Sequence, residues 1–523
     1  MTAIKSLIVI LAILPTGLLA AATFDNPADL FDLYVEALLS EDLIAAAECW
    51  LDESIQKSKR LGITYTDVPL KYDCASPLIL NLQTIRRLKS KVTVADVDYH
   101  DDWALLTIQA GDPTEGLTCY YYALQTDFGW KLAPAIHIKT RSWLTTRTKY
   151  ANIYHSDKSM INRPACLELD RFIESSGHEL GLSPSALNKL AGEGIDYYLC
   201  DETEFKALTG YDAHGLGNLQ FDAVVTRHLP HEHELTHLLV NYAKGDLPLY
   251  TIPFMQEGLA CRMGGRWGRV PRVIAYTGHL ILSNDMCPLQ DILTFDDFHT
   301  KVGTPEISYP VSSIFVDYLI ERSGMEKVLS LYRHLSGTGK EIRSLSSDNI
   351  KAAIEEKCGL RWDDIVPDFA AYWPRFEKAG IVPIEIDNTT EPELIVDSDS
   401  LVLSVRTDAD SYLFTIMMAA DMKSGVVKFG PRVAILDREY QSRLFAEQFP
   451  SVRFTGERYG LVFSNSEIGL YDYFCDQVRA KYVSLSPNNG LWDTENGVLN
   501  FTLDKTIVGE DALIHLSGRI NRP

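Results

Sequence analysis

A chain of 523 residues exceeds what a single core can organise, and at about 150 residues per domain it predicts roughly three domains. Its 46% hydrophobic and 23% charged content is that of ordinary globular protein. With 49 basic against 71 acidic residues, the net charge of −22 repels phosphate backbones, which argues against nucleic acid and anionic membrane surfaces as partners.

The N-terminus, MTAIKSLIVILAILPTGLLAAATFDNP, has one lysine, a short apolar run and then small residues. This is the pattern of a secretory signal peptide over residues 1–22, with cleavage near Ala22. The run breaks at Pro15 and falls short of a bilayer-spanning helix of ~20 residues. No later segment is long and apolar enough to span, so the expectation is an exported protein, periplasmic or secreted, without a membrane span. Nine cysteines are scattered with no C-x-x-C pair, which disfavours cysteine-based zinc sites. An oxidising compartment permits disulfides, and Cys166–Cys200 and Cys261–Cys287 are two conceivable pairings. The sequence carries no signal of oligomeric state.

Residues 23–142 read as an α+β domain. Leu30, Leu33, Tyr34, Ala37 and Leu38 recur at helical spacing after an Asn26 N-cap and Pro27, and Ser40 begins the breakdown of that pattern. KVTVADVDY, WALLTIQA, LTCYYYALQT and GWKLAPAIHI follow as β-rich runs separated by turn residues. A helix followed by a curled antiparallel sheet resembles the cone-shaped fold of the ketosteroid-isomerase and cystatin-like superfamily. That resemblance implies an accessory or binding module, and no acid–base pair stands out in it.

Residues 143–380 read as mainly helical with one short strand region. SALNKLAGEG closes a helix, IDYYLC is a strand, and DETEFKALTG is a helix stopped by Gly210. GLGNLQFDAVVTR reads as a glycine loop running into a strand. YPVSSIFVDYLIERSG and MEKVLSLYRHLSGTG are two further helices. Residues 381–523 change to short β-rich runs such as LVLSV, SYLFTIMM and VLNFTL, which predict an all-β, sandwich-like domain.

The chemistry concentrates in HEHELTHLLV, residues 231–240. His233-Glu234-Leu235-Thr236-His237 is an H-E-x-x-H motif, whose two histidines share one helix face and can point at one ion. Leu235, Leu238, Leu239 and Tyr242 form the apolar stripe, Pro230 suits the first turn, and Gly245 offers a stop. A metal lowers the pKa of a coordinated water from about 15.7 to about 7, and Glu234, one position round from His233, can take the proton. A catalytic metal needs a third protein ligand. Glu257 supplies it from PFMQEGLACRMGG, a second helix expected over 253–264. His231 and Glu232 read as a polar helix start, and His228 and His279 as surface or cleft polar groups. Trp267, Trp362 and Trp373 read as core or surface anchors.

H-E-x-x-H followed about twenty residues later by a glutamate in E-G-L-A resembles the gluzincin zinc metallopeptidases, within the peptidase MA group. YYLCDETEFKALTGYDAHGLG before the motif, and the helix from Tyr309-Pro310 to Lys327 after it, extend the likeness to residues 185–375. The resemblance implies a zincin-like fold, one zinc held by His233, His237 and Glu257, and Glu234 as general base. It also implies a peptide or protein substrate paired along the LQFDAVVTR strand as a sheet edge, and Tyr309 as stabiliser of the oxyanion. Cys261 stands where many members carry an aspartate four residues after the ligand glutamate. Orientation of a ligand histidine then falls to Asp285, Asp291 or a backbone carbonyl. No G-x-M-E-N segment precedes the helix, which favours an endopeptidase. The competing reading is a non-catalytic scaffold protein of the cell envelope that retains the metal site.

Overall fold

The computed structural model describes residues 24–51, 85, 87–88, 91–112, 116–161, 163–218, 222–244, 250–266, 271–337 and 339–379, and the backbone of strands between Glu393 and Leu513. The expected leader at 1–22 lies outside the described residues, as do Gly245 and Trp267. The chain mixes helices and sheets, an α+β protein, and divides between Ile138 and Lys139 into two compact units.

In the first unit, Asn26 accepts from the backbone N–H groups of Ala28 and Asp29 and starts the helix Pro27–Ser40. Leu30, Phe31 and Tyr34 on one face of that helix are fully buried. A four-stranded antiparallel sheet runs in the order β1 (Val92–Tyr99), β2 (Trp103–Ala110), β3 (Leu117–Thr126), β4 (Gly129–Ala133). Strict alternation along β2 sends Ala104, Leu106, Ile108 and Ala110 inward. Phe31 meets Tyr121 edge-on at 4.8 Å between ring centroids. The expected helix and the first three β-rich runs are present in the expected order, but GWKLAPAIHI is strand only over Gly129–Ala133 and turns at Pro134 into a short helix, Ala135–Lys139.

The second unit has more sheet than expected. Five strands order as β5 (Leu144–Arg147), β6 (Ala151–His155), β7 (Ile195–Leu199), β9 (Ala223–Thr226) and β8 (Gly215–Asn218). β6, β7 and β9 run parallel, with antiparallel β5 and β8 at the two edges. β7 and β9 are buried at every position, the mark of strands covered on both faces. Strands this short carry little period-2 signal, so β5, β6 and β8 escape a reading by pattern. LQFDAVVTR is corrected in one respect: its strand, β9, lies inside the sheet, and the edge is β8, the GLGN segment read as a loop.

Helices pack against this sheet around one core that takes in Leu235, Leu238 and Leu239 of the motif helix, Glu232–Lys244. The same core includes Phe254, Met255 and Leu259 of the ligand helix, Pro253–Gly264, and Val311, Ile314 and Phe315 of the helix Pro305–Ser323. That third helix begins four residues before Tyr309, because Thr304 caps the N–H of Glu306 and Pro305 occupies the first turn. Trp362 and Trp373 are half-buried against the core.

The conceivable disulfides do not form: Cys166, Cys200, Cys261 and Cys287 are free thiols. Cys200 faces the Tyr198 carbonyl at 3.4 Å and Cys261 faces His233, so each thiol is occupied locally. Beyond residue 392, strands pair into two antiparallel sheets, one of which joins Leu401–Thr407 to Ser411–Met418 in register. The packing of those sheets as a sandwich lies outside the described residues. No helix among the described residues is long and apolar enough to cross a membrane.

Candidate metal centre

The motif helix and the ligand helix bring His233, His237 and Glu257 together. Their ligand atoms all lie within 4.8 Å of one another. Glu257 Oε2 is 3.1 Å from His233 Nε2 and 3.9 Å from His237 Nε2. Donors on a tetrahedral zinc at about 2.0–2.1 Å stand about 3.3 Å apart, so the three atoms already approximate one coordination face. Both imidazoles are buried, and their planes cross at 87°.

His233 Nδ1 lies 2.8 Å from the Gly265 carbonyl oxygen. A carbonyl only accepts, so Nδ1 carries the proton and donates, which leaves Nε2 to face the ligand cluster. This decides among the three orienting groups considered from sequence. Asp285 is exposed and Asp291 pairs with Lys301, whereas the backbone carbonyl of Gly265 holds the ring. The contact depends on close approach of the two helices: a Cβ at Gly264 would sit 2.3 Å from the carbonyl carbon of Glu232.

The charges fit a cation. Burial works to raise the Glu257 carboxyl, but the His233 hydrogen bond and the charges of His237, His233 and Arg266 hold it down to about 2. Burial lowers His237, so its imidazole favours the neutral, ligating form. Burial also opposes charge on His233, yet Cys261 and Glu257 beside it raise its pKa to about 10. A metal entering the cluster therefore takes the place of a proton shared between His233 and Glu257.

Glu234 points to the neighbouring sheet edge. Its Oε2 accepts the backbone N–H of Gly217 at 2.6 Å. The N–H of Arg227 reaches the His214 carbonyl at 2.9 Å, so ladder bonding between β8 and β9 falls on alternate residues. The backbone groups of Gly215 and Gly217 therefore point away from β9, toward the open edge. Side chains here would collide with the motif helix: a Cβ at Gly215 would lie 2.2 Å from His231, and one at Gly217 2.9 Å from the Glu234 carbonyl oxygen.

His231, read from sequence as a polar helix start, belongs to the site. The Thr226 hydroxyl donates to the His214 carbonyl at 3.1 Å, so its oxygen accepts the proton of His231 Nδ1 at 2.6 Å. His231 Nε2 then faces Glu234 Oε1 at 4.0 Å. Burial pushes this imidazole well below its ordinary pKa and keeps it neutral. His228 completes the approach, with its ring 5.1 Å from that of His231. His279, the other histidine expected at the surface or in a cleft, is buried beside the half-buried Tyr276 and Trp373.

Tyr309 stands beside His233. Its ring lies parallel to that of His233, with centroids 6.5 Å apart. Burial pushes its phenol well above the usual range, which keeps it a neutral donor. The Arg266 guanidinium lies over the Tyr309 ring at 3.6 Å, with Nη1 3.4 Å from Glu257 Oε2. Sequence reasoning missed Arg266 because nothing in its spacing marks it. The G-x-G of β8 and the extra histidine of H-x-H-E were visible signals for Gly215, Gly217 and His231. No protein-family model matches the chain, and no curated protein is detectably similar to it.

Proposed function

We propose that the protein is an exported zinc-dependent peptidase that cleaves within peptide chains. The observation that carries this reading is the convergence of two buried imidazoles and one carboxylate next to a second carboxylate, Glu234, at the open edge of a sheet. Two histidines and one glutamate are a ligand set of catalytic zinc, and the buried N/O donors suit it better than the all-oxygen shell of calcium or magnesium. Zinc held there would supply Lewis acidity to an attacking water and to the peptide carbonyl.

The chain's own residues have separable tasks. Glu234 takes the proton of the attacking water, Oε1 being the oxygen not engaged by Gly217, and returns a proton to the leaving amine. Tyr309 donates to the oxygen that gains charge as the carbonyl becomes tetrahedral. β8 offers the outward backbone groups of Gly215 to an extended substrate, as in strand addition to a sheet edge. The absence of a G-x-M-E-N segment favours internal bonds over recognition of a free N-terminus.

The test measures metal content and cleavage of an unfolded-protein mixture with and without a chelator. About one zinc per chain is expected, with cleavage that the chelator abolishes. Glu234→Gln keeps the zinc and loses cleavage. If that variant cleaves like the wild type, the mechanism fails; if the zinc-loaded wild type cleaves nothing, the scaffold reading takes its place.

A further inference from the structure

We propose that Arg266 is a second catalytic donor of this site, directing its guanidinium at the oxygen anion that develops on the substrate carbonyl. The inference rests on the peptidase reading and names a residue that the H-E-x-x-H…E pattern does not include.

Placement comes first. The chain leaves the ligand helix through Gly265, whose φ of 68° and ψ of −156° belong to a region that glycine enters readily. The same turn presents the Gly265 carbonyl to His233 and delivers Arg266 to the ligand cluster. Tyr309, from a different helix, forms the platform beneath the guanidinium at 3.6 Å. The two donors assigned to the oxyanion are therefore packed against each other. The Arg266 side chain is 22% exposed, so it is not sealed in the core.

Charge supplies the second argument. Glu257 already has His233 at 3.1 Å and His237 at 3.9 Å, and a bound metal would satisfy it further. A permanent cation 3.4 Å from that same oxygen then repels the metal, which opposes holding the ion. Besides keeping Glu257 ionised, such a cation is of use to negative charge that arrives at the site during function. A tetrahedral oxyanion brings such charge, and a planar fork of donors fixed in advance needs no reorganisation to meet it. Removing Arg266 therefore has opposite consequences for the two ligands: zinc binds as well or better, and an anionic tetrahedral group binds worse.

The test compares wild type, Arg266→Ala and Arg266→Lys, each zinc-loaded, with thermal melting to confirm folding. Three readouts are taken: zinc affinity by chelator competition, affinity for a phosphonamidate peptide as the tetrahedral probe, and kcat and KM on uncharged, C-terminally amidated peptides. Expected for Arg266→Ala are zinc affinity equal to or above wild type, phosphonamidate affinity lower by about a hundredfold, and kcat lower by about 10²–10³-fold at similar KM. Arg266→Lys recovers part of the loss. Zinc affinity that falls together with activity in both variants overturns the proposal in favour of a prop for Glu257. A KM rise confined to peptides with a free C-terminal carboxylate also overturns it, because Arg266 then reads the ground state. A wild type that binds no zinc defeats the peptidase reading itself, a result distinct from either.

Discussion

Gly217 gives its backbone N–H to Glu234 Oε2 across 2.6 Å, so the edge strand and the proposed general base form one hydrogen-bonded unit. A charge-assisted bond of this kind fixes one carboxylate oxygen and leaves the other for the water. It also means that a peptide laid along β8 lies directly beside the base.

Gly217→Ala tests this coupling. The added Cβ would stand 2.9 Å from the Glu234 carbonyl oxygen and 3.2 Å from Oε2, so the strand must move outward and the bond lengthen. The expected outcome is kcat/KM lower by at least about tenfold, as misplacement of a catalytic group by a fraction of an ångström is costly. Zinc content, measured on the same preparation, should be unchanged. Turnover equal to wild type would show that the strand does not position the base.

Gly264→Ala addresses the contact between the two ligand-bearing helices. The new Cβ meets the backbone of Glu232 at 2.3 Å, and backbone cannot rotate aside. Overpacking of this kind costs about 1–3 kcal/mol. Urea denaturation of the metal-free protein should show that loss, and zinc should bind more weakly because Glu257 is displaced from the histidines. Stability and zinc affinity both at the wild-type level would contradict the close approach.

Thr226→Val removes the acceptor of the His231 Nδ1 proton with little change in shape. A buried donor left unpaired costs about 1–3 kcal/mol. Thr226→Ser, which keeps the hydroxyl, should retain most of the stability. Equal denaturation midpoints for the valine variant and the wild type would mean that the 2.6 Å contact contributes nothing.

Zinc uptake should depend on pH in a direction set by His233. Its pKa is raised to about 10, so the metal-free imidazole holds a proton that the metal must displace. Glu257, held to about 2, is already ionised at neutral pH, and burial lowers His237 below its ordinary value. The sign follows: affinity rises with pH between about 7 and 8, with about one proton released per zinc. Calorimetry in buffers of different ionisation enthalpy counts that proton, and a count of zero would show that His233 is neutral in the metal-free protein.

Much of the centre was readable from local spacing, because a helix repeats every 3.6 residues and places i and i+4 on one side. That rule alone sets His233 and His237 on a common face, and Pro253 and Gly264 mark the helix that carries Glu257. The sheet was less readable. β8 and β9 are four residues each, and four residues do not establish a period, so GLGN passed for a loop. The resemblance to gluzincins implies LQFDAVVTR as the sheet edge near the motif, whereas the edge is the neighbouring strand β8. His231 reads as no more than a polar helix start because nothing local pairs with it; the partner, Thr226, comes from β9.

By itself the sequence determined that His233 and His237 share a helix face and that Glu257 follows on a second helix, since both follow from helix periodicity and one short connection. Only the tertiary structure decided which strand forms the edge, which carbonyl turns His233, and that Arg266 stacks on Tyr309 beside Glu257. Those relations join residues from separate elements: Glu234 and Gly217 are 17 positions apart, and His233 and Gly265 are 32. Their contact depends on how helices cross and how closely glycine backbones allow them to approach, and no local pattern encodes those distances.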